Sequence, residues 1–192
     1  MSGLRSPKLL AGAAALALGS WLLTPARTAD DGPLAAFASA RASIQLVRVQ
    51  TALGAGRPEL AVQRGLDALN ANPRSTAAWE YVLTVLLAEL PSAAVESDPA
   101  ARAGWFELGL ELADRGATEA EEPERVALRT GLLLFGQLQL DDPVPFEGGP
   151  AGLGRACLDW LARAADLGSP EAVQLLEAVE ARVLEGRAAE PR

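Results

Sequence analysis

The stretch Pro58-Glu59-Leu60-Ala61-Val62-Gln63-Arg64-Gly65-Leu66-Asp67-Ala68-Leu69-Asn70-Ala71-Asn72-Pro73-Arg74-Ser75-Thr76-Ala77-Ala78-Trp79-Glu80-Tyr81-Val82-Leu83-Thr84-Val85-Leu86-Leu87-Ala88-Glu89-Leu90-Pro91 reads as two helices and the joint between them. Pro58 suits a first helical turn, where its missing N–H costs no intrahelical bond, and Glu59 beside it favours the positive end of the helix dipole. Asn72-Pro73 closes that helix, so the spacing predicts Pro58–Ala71. Ser75 is an N-cap for the next one. There Val82, Leu83, Leu86, Leu87 and Leu90 recur at three and four residues, which predicts Thr76–Leu90 with Pro91 as its stop.

The same punctuation extends in both directions. Upstream, Leu34–Leu53 ends at Gly54-Ala55-Gly56. Downstream, Asp98 caps a helix over Pro99–Arg115, closed by Gly116. Glu121-Glu122-Pro123-Glu124 starts a fifth, which carries Val126, Leu128, Leu132, Leu133 and Phe135 to about Leu138. Asp141–Pro150, with three Pro and two Gly, is the one long irregular stretch. A sixth helix covers Leu153–Leu167, and Gly168-Ser169-Pro170-Glu171 restarts the chain into a seventh that ends near Gly186. Residues 187–192 form a frayed tail.

Composition agrees with an all-α class. Apolar residues make up 49% and charged residues 22%, a globular balance, and the apolar share is mostly Ala and Leu, which lose little rotamer freedom in a helix. The chemistry is narrowed by what is missing. The chain has no His, and its only Lys is Lys8, so it offers no ordinary Ser–His or Cys–His nucleophile, no Schiff-base lysine beyond the leader and no histidine zinc ligand. Cys157 is the single Cys and reads as a small buried apolar residue rather than a reactive thiol. Acid–base work would fall to Asp, Glu or Tyr81. The acidic cluster Glu119, Glu121, Glu122 and Glu124 sits at a helix start, where the dipole accounts for it. These readings predict no enzyme activity, cofactor or metal.

The amino terminus has the order of an export signal: Arg5 and Lys8, then the apolar run Leu9–Leu23, then Thr24-Pro25-Ala26 with small residues at the cleavage positions. As a helix, the run of about 15 residues spans roughly 22 Å, short of the ~30 Å hydrocarbon core, which favours a cleaved signal over an uncleaved anchor using Leu9–Ala26. Residues 1–26 are therefore signal, 27–186 the helical domain, and the expected location is the periplasm or the exterior. Taking Arg5 and Lys8 from the 17 basic residues and nothing from the 25 acids leaves 15 against 25, a net of −10. Such a chain repels phosphate backbones, so nucleic acid is excluded as a partner.

Self-similarity is visible between the helices. Gly56-Arg57-Pro58-Glu59-Leu60-Ala61 with Ala68-Leu69, Asn72-Pro73 and Ala78-Trp79 resembles a tetratricopeptide-repeat junction. Trp105-x-x-Leu108-Gly109-x-x-Leu112 resembles that family's Trp-x-x-Leu-Gly-x-x-Tyr helix, and Trp79-x-x-Val82-Leu83-x-x-Leu86 is a weaker copy. The segment Cys157-Leu158-Asp159-Trp160-Leu161-x-x-Ala164-Ala165-x-x-Gly168-x-x-Glu171-Ala172-x-x-Leu175-Leu176 is similar to the related SEL-type repeat. The resemblance covers Ala42–Arg115 and Ala156–Val179 and implies antiparallel helix hairpins in which Trp79, Trp105 and Trp160 fill the groove between helices while Gly109 admits a neighbouring backbone. Trp79 and Trp105 stand 26 residues apart instead of ~34, and Pro91–Ser97 leaves room only for a turn, so the expected form is a compact, irregular stack rather than a smooth superhelix.

The resemblance also implies a concave groove lined by the first helices of the hairpins. Carried over by spacing, its residues are Gln50 and Leu53; Glu80, Thr84 and Leu87; and Phe106, Leu110 and Asp114, with Phe106 exposed one step round the helix from a packed Trp105. An apolar groove with acidic edges implies a helical or basic protein segment as partner. The function expected is a non-catalytic interaction scaffold or accessory subunit in the cell envelope. Two other readings stand beside it: an envelope hydrolase using Asp141, Asp142 and Glu147 of the irregular stretch, and a self-associating structural protein.

Overall fold

The helices begin where Pro, Ser and Asp place their starts. The computed structural model describes the backbone of residues 33–188 and the side chains of residues 36–180, and the export signal lies outside the described residues. Among the described residues there are seven α-helices and no strand: α1 (Pro33–Gly54), α2 (Pro58–Ala71), α3 (Thr76–Thr84), α4 (Pro99–Glu119), α5 (Pro123–Leu138), α6 (Gly149–Asp166) and α7 (Pro170–Ala188). Ser75 accepts from the Ala78 N–H and Asp98 from the Ala100 N–H, so both capping residues do the work their positions require. Gly168, with φ of 102°, turns the chain between α6 and α7, a conformation that a Cβ would strain.

The helices stack as antiparallel neighbours. Asn72 at the end of α2 reaches Ser39 near the start of α1, 3.1 Å away. In α3 and α4, Trp79 meets Gly116, Leu87 meets Gly109, and the Pro91 carbonyl meets Arg102, so the two run in opposite directions. The turn before α5 is tied to the turn before α3: Glu121 N–H donates to the Arg74 carbonyl (2.9 Å) and Glu122 N–H to the Thr76 hydroxyl (3.0 Å). Trp79, fully buried, donates its Nε1–H to the Pro73 carbonyl at 2.6 Å, anchoring the same joint. α5 is the hub and packs on α3, α4, α6 and α7.

Three expectations change. The third helix is not continuous to Leu90: α3 stops at Thr84 and the chain widens into a π turn over Val85–Glu89, with Leu90 N–H donating to the Val85 carbonyl at 2.9 Å. In this wider turn Val85, Leu86 and Leu87 are all buried, three consecutive side chains that an α-helix would spread at 100° per residue. Gly116 does not close the fourth helix, which continues to Glu119; a Cβ there would lie 2.9 Å from Trp79 and from Val126, so this glycine is a packing residue. Gly109 admits the side chains of Leu87 and Leu86 rather than a backbone.

Candidate binding surface

The residues expected to line one groove are dispersed. Gln50 is exposed on α1 beside Tyr81 of α3, whose phenol is pushed up to about 12 by burial and by nearby Glu89, with Gln50 acting the other way. Leu53 and Leu110 are half-buried against the core. Glu80 and Thr84 face α5, where Arg125 pairs with Glu80 (3.2 Å) and Arg129 donates to the Thr84 hydroxyl (3.1 Å). Burial raises the Glu80 carboxyl above its ordinary value, and Arg125 and Arg129 act against that rise. Asp114 is exposed and accepts from Arg163 of α6, whose guanidinium also lies over the Trp160 ring.

Leu87 and Phe106 are corrections: neither is available to a ligand, being 0% and 1% exposed. Phe106 sits edge-on against Phe146 with ring centroids 5.9 Å apart, and its neighbour Trp105 is the half-buried one of the two. The inward face of α4 runs through Arg102, Phe106, Gly109, Ala113 and Gly116, a three-and-four spacing that leaves Trp105 one step off. Trp105 Nε1 is enclosed without a hydrogen-bond acceptor among the described residues.

The irregular stretch is pinned rather than open. Arg102, 4% exposed, donates to the Pro91 carbonyl (2.7 Å), to Asp142 Oδ2 (2.8 Å) and to the Asp142 carbonyl (3.0 Å). Gln137, also buried, donates to the Leu87 carbonyl (2.9 Å) and accepts from the Val144 N–H (3.3 Å). The last carbonyls of a helix lack intrahelical partners, and here two buried side chains from other helices supply them. The loop that follows α5 is thereby fixed to the π turn, and Asp142 is the counter-ion of Arg102.

Cys157 is fully buried, with its thiol 3.4 Å from the Gly131 carbonyl, and burial pushes its pKa up to about 11. It sits where α6 approaches α5 over Gly131, whose Cβ would lie 2.8 Å from Leu161. That is the environment of an unreactive core thiol.

What the spacing argument did not single out is the outward face of α1. Ala42, Gln45, Val49 and Ala52 of this helix are buried, while Phe37, Ile44 and Val47 are 70%, 55% and 53% exposed. Phe37 and Ile44 are seven residues apart and so share a face, a second apolar row beside the buried one that the sequence does contain. At the far end of the same helix a cleft of about 230 Å³ opens between α1 and α2, bordered by Arg48, Arg57 and Arg64 over a floor of Ala52, Ala55 and Leu60. Among the described residues no helix is long and apolar enough to cross a membrane, and no group of three or more His, Cys, Asp or Glu side chains is arranged to hold a metal ion. No protein-family model matches the chain, and no curated protein matches it.

Proposed function

We propose that this chain is a non-catalytic protein-interaction scaffold, a tetratricopeptide-like accessory subunit that works in the cell envelope or outside the cell. The observation that carries the reading is the outward row Phe37, Ile44 and Val47 on α1, three large apolar side chains exposed together on one helix. Exposed apolar side chains grouped on one helix face, with no core left for them to enter, are what a docking partner covers. Support for export comes from the order of charge, apolar run and small residues in Met1–Ala26. Asp142, one of the three carboxylates that a loop hydrolase would draw on, is paired with Arg102.

The test is capture of the native partner from the envelope fraction by the tagged chain. Replacing Phe37, Ile44 and Val47 together by Ser removes recovery while circular dichroism and thermal unfolding stay as in the parent chain; recovery at the parent level refutes the surface. N-terminal sequencing of the protein purified from the periplasm reads the cleavage site directly, and a chain found intact in the cytoplasm refutes export.

A further inference from the structure

The outward face of α1 does not end with its apolar row. At 100° per residue Phe37, Ile44 and Arg48 fall within roughly 40° of one another, so the row leads to the cleft between α1 and α2, which Arg48 lines. Antiparallel pairing brings Arg48 of α1 and Arg57 and Arg64 of α2 to its border. Asp67 lies 3.2 Å from Arg64 and covers one side of it; neither Arg48 nor Arg57 has a carboxylate partner among the described residues. Arg57 stands at the N-cap of α2, where no side chain caps the helix and where a cation opposes the dipole. Between Pro33 and Pro58 the chain carries Arg41, Arg48 and Arg57 and no acid, although the whole chain is −8. Three arginines bordering an apolar-floored cleft, in a chain that is otherwise acidic, offer positive charge to anionic side chains.

We infer that the partner segment bound by α1 is an acidic amphipathic peptide, whose apolar side chains cover Phe37, Ile44 and Val47 and whose Asp or Glu carboxylates enter the cleft at Arg48, Arg57 and Arg64. The inference rests on the scaffold reading and names the chemistry of the partner, reversing the helical or basic segment that the acidic edges of the expected groove implied. A concave cleft of about 230 Å³ takes a projecting side chain, and a peptide engages only the basic hairpin. An anionic bilayer meets the field of the whole chain, which is −8 and repels it. The carboxylates come from side chains, so no chain terminus is required.

The experiment is fluorescence anisotropy on the full chain with a labelled, C-terminally amidated helical peptide that has Leu on one face and Glu on the other. The same peptide with Gln for Glu is the control, and vesicles of phosphatidylglycerol and phosphatidylcholine form a further arm. The Glu peptide binds at least roughly tenfold tighter than the Gln peptide, and the advantage fades with added salt. Arg48→Glu with Arg57→Glu removes the advantage, and the milder Arg48→Gln with Arg57→Gln reduces it without charge reversal, both with unchanged circular dichroism. Equal binding of the two peptides overturns the inference, as does arginine-dependent binding to the phosphatidylglycerol vesicles in place of the Glu peptide. In native-partner capture, loss with the Phe37, Ile44 and Val47 triple but not with the arginine variants removes the acidic-cleft inference alone. Loss with neither removes the scaffold reading as well.

Discussion

The α1–α2 hairpin and the α3–α6 body are built from the same Ala- and Leu-rich helices, yet they treat their surfaces in opposite ways. In the body each helix meets two or more others, and even the polar side chains turn inward: Arg102 and Gln137 satisfy the carbonyls at the end of the π turn and hold the loop after α5. In the hairpin one side of α1 faces the described helices, with Ala42, Val49 and Ala52 buried, while Phe37, Ile44 and Val47 remain exposed. Charge divides along the same line, with arginine alone on α1 and acids concentrated beyond it. A helix at the edge of the described stack keeps one side uncovered by the other described helices, and that is where binding capacity is left over.

The largest effect should come from breaking the body. Trp79 is fully buried, hydrogen-bonded to Pro73 and packed on Gly116, with Arg115 over its ring. Trp79→Ala costs about 3–5 kcal/mol in urea unfolding, because it leaves a cavity and an orphaned carbonyl. Gly116→Ala costs about 1–3 kcal/mol by the opposite route, since its Cβ has no room beside Trp79 and Val126. By contrast, serine at Phe37 or Ile44 changes stability by no more than about 0.5 kcal/mol. Equal losses at the two sites would erase the distinction between body and hairpin.

Arg102→Met sharpens the comparison at intermediate size. It leaves the carbonyls of Pro91 and Asp142 without their donor, at a cost of about 2–3 kcal/mol, the ion pair itself counting little because Asp142 is mostly exposed. Hydrogen exchange should show faster opening of residues 140–148 together with the π turn, and no change in α1.

Cys157 reports the same sealing chemically. With its thiol pushed up to about 11, roughly one molecule in a thousand carries thiolate at pH 8, so iodoacetamide labels the native chain slowly and the urea-unfolded chain quickly. The folded pKa lies above the ordinary value of 9.0, so the contribution of the neutral thiol to stability is complete below pH 9 and is lost as pH rises from there towards 11. Fast labelling of the folded protein would show that the α5–α6 contact opens.

The smallest effect is expected at Glu80, on the seam between α3 and α5. Burial raises its carboxyl while Arg125 and Arg129 act against that rise, so Glu80→Gln alters stability at pH 7 by about 0.5 kcal/mol or less. Because the folded pKa is raised, the stability linked to this group is full below the ordinary value of 4.5 and declines as pH climbs through the folded value. The Gln variant therefore loses its disadvantage, or gains, on going from pH 4 to pH 7; a loss above about 1.5 kcal/mol at pH 7 would mean that the ion pair outweighs desolvation.

Helix boundaries were legible because they are local. Pro58, Ser75, Asp98, Pro123 and Pro170 act through their own backbone groups, and each stands at or immediately before a helix start. The π turn was not legible, since Val85–Leu87 satisfy an α-helical pattern equally well and only the demand to bury three consecutive side chains widens it. The groove residues were carried over by spacing, which does not settle which of two adjacent aromatics faces inward. At Trp105 and Phe106 the outcome was decided by Phe146, forty residues away on the loop that Arg102 and Gln137 hold.

The order of residues alone determined the all-helical class, the joints between helices and the absence of histidine chemistry, because propensity, capping and composition are properties of short segments or of none. Only the packed stack decided that Leu87 and Phe106 are core, that Gly116 makes room for Trp79, and that Arg48, Arg57 and Arg64 border one cleft. Those facts depend on which helix lies against which, and a helix with apolar residues on two faces can bury either one until its neighbours choose.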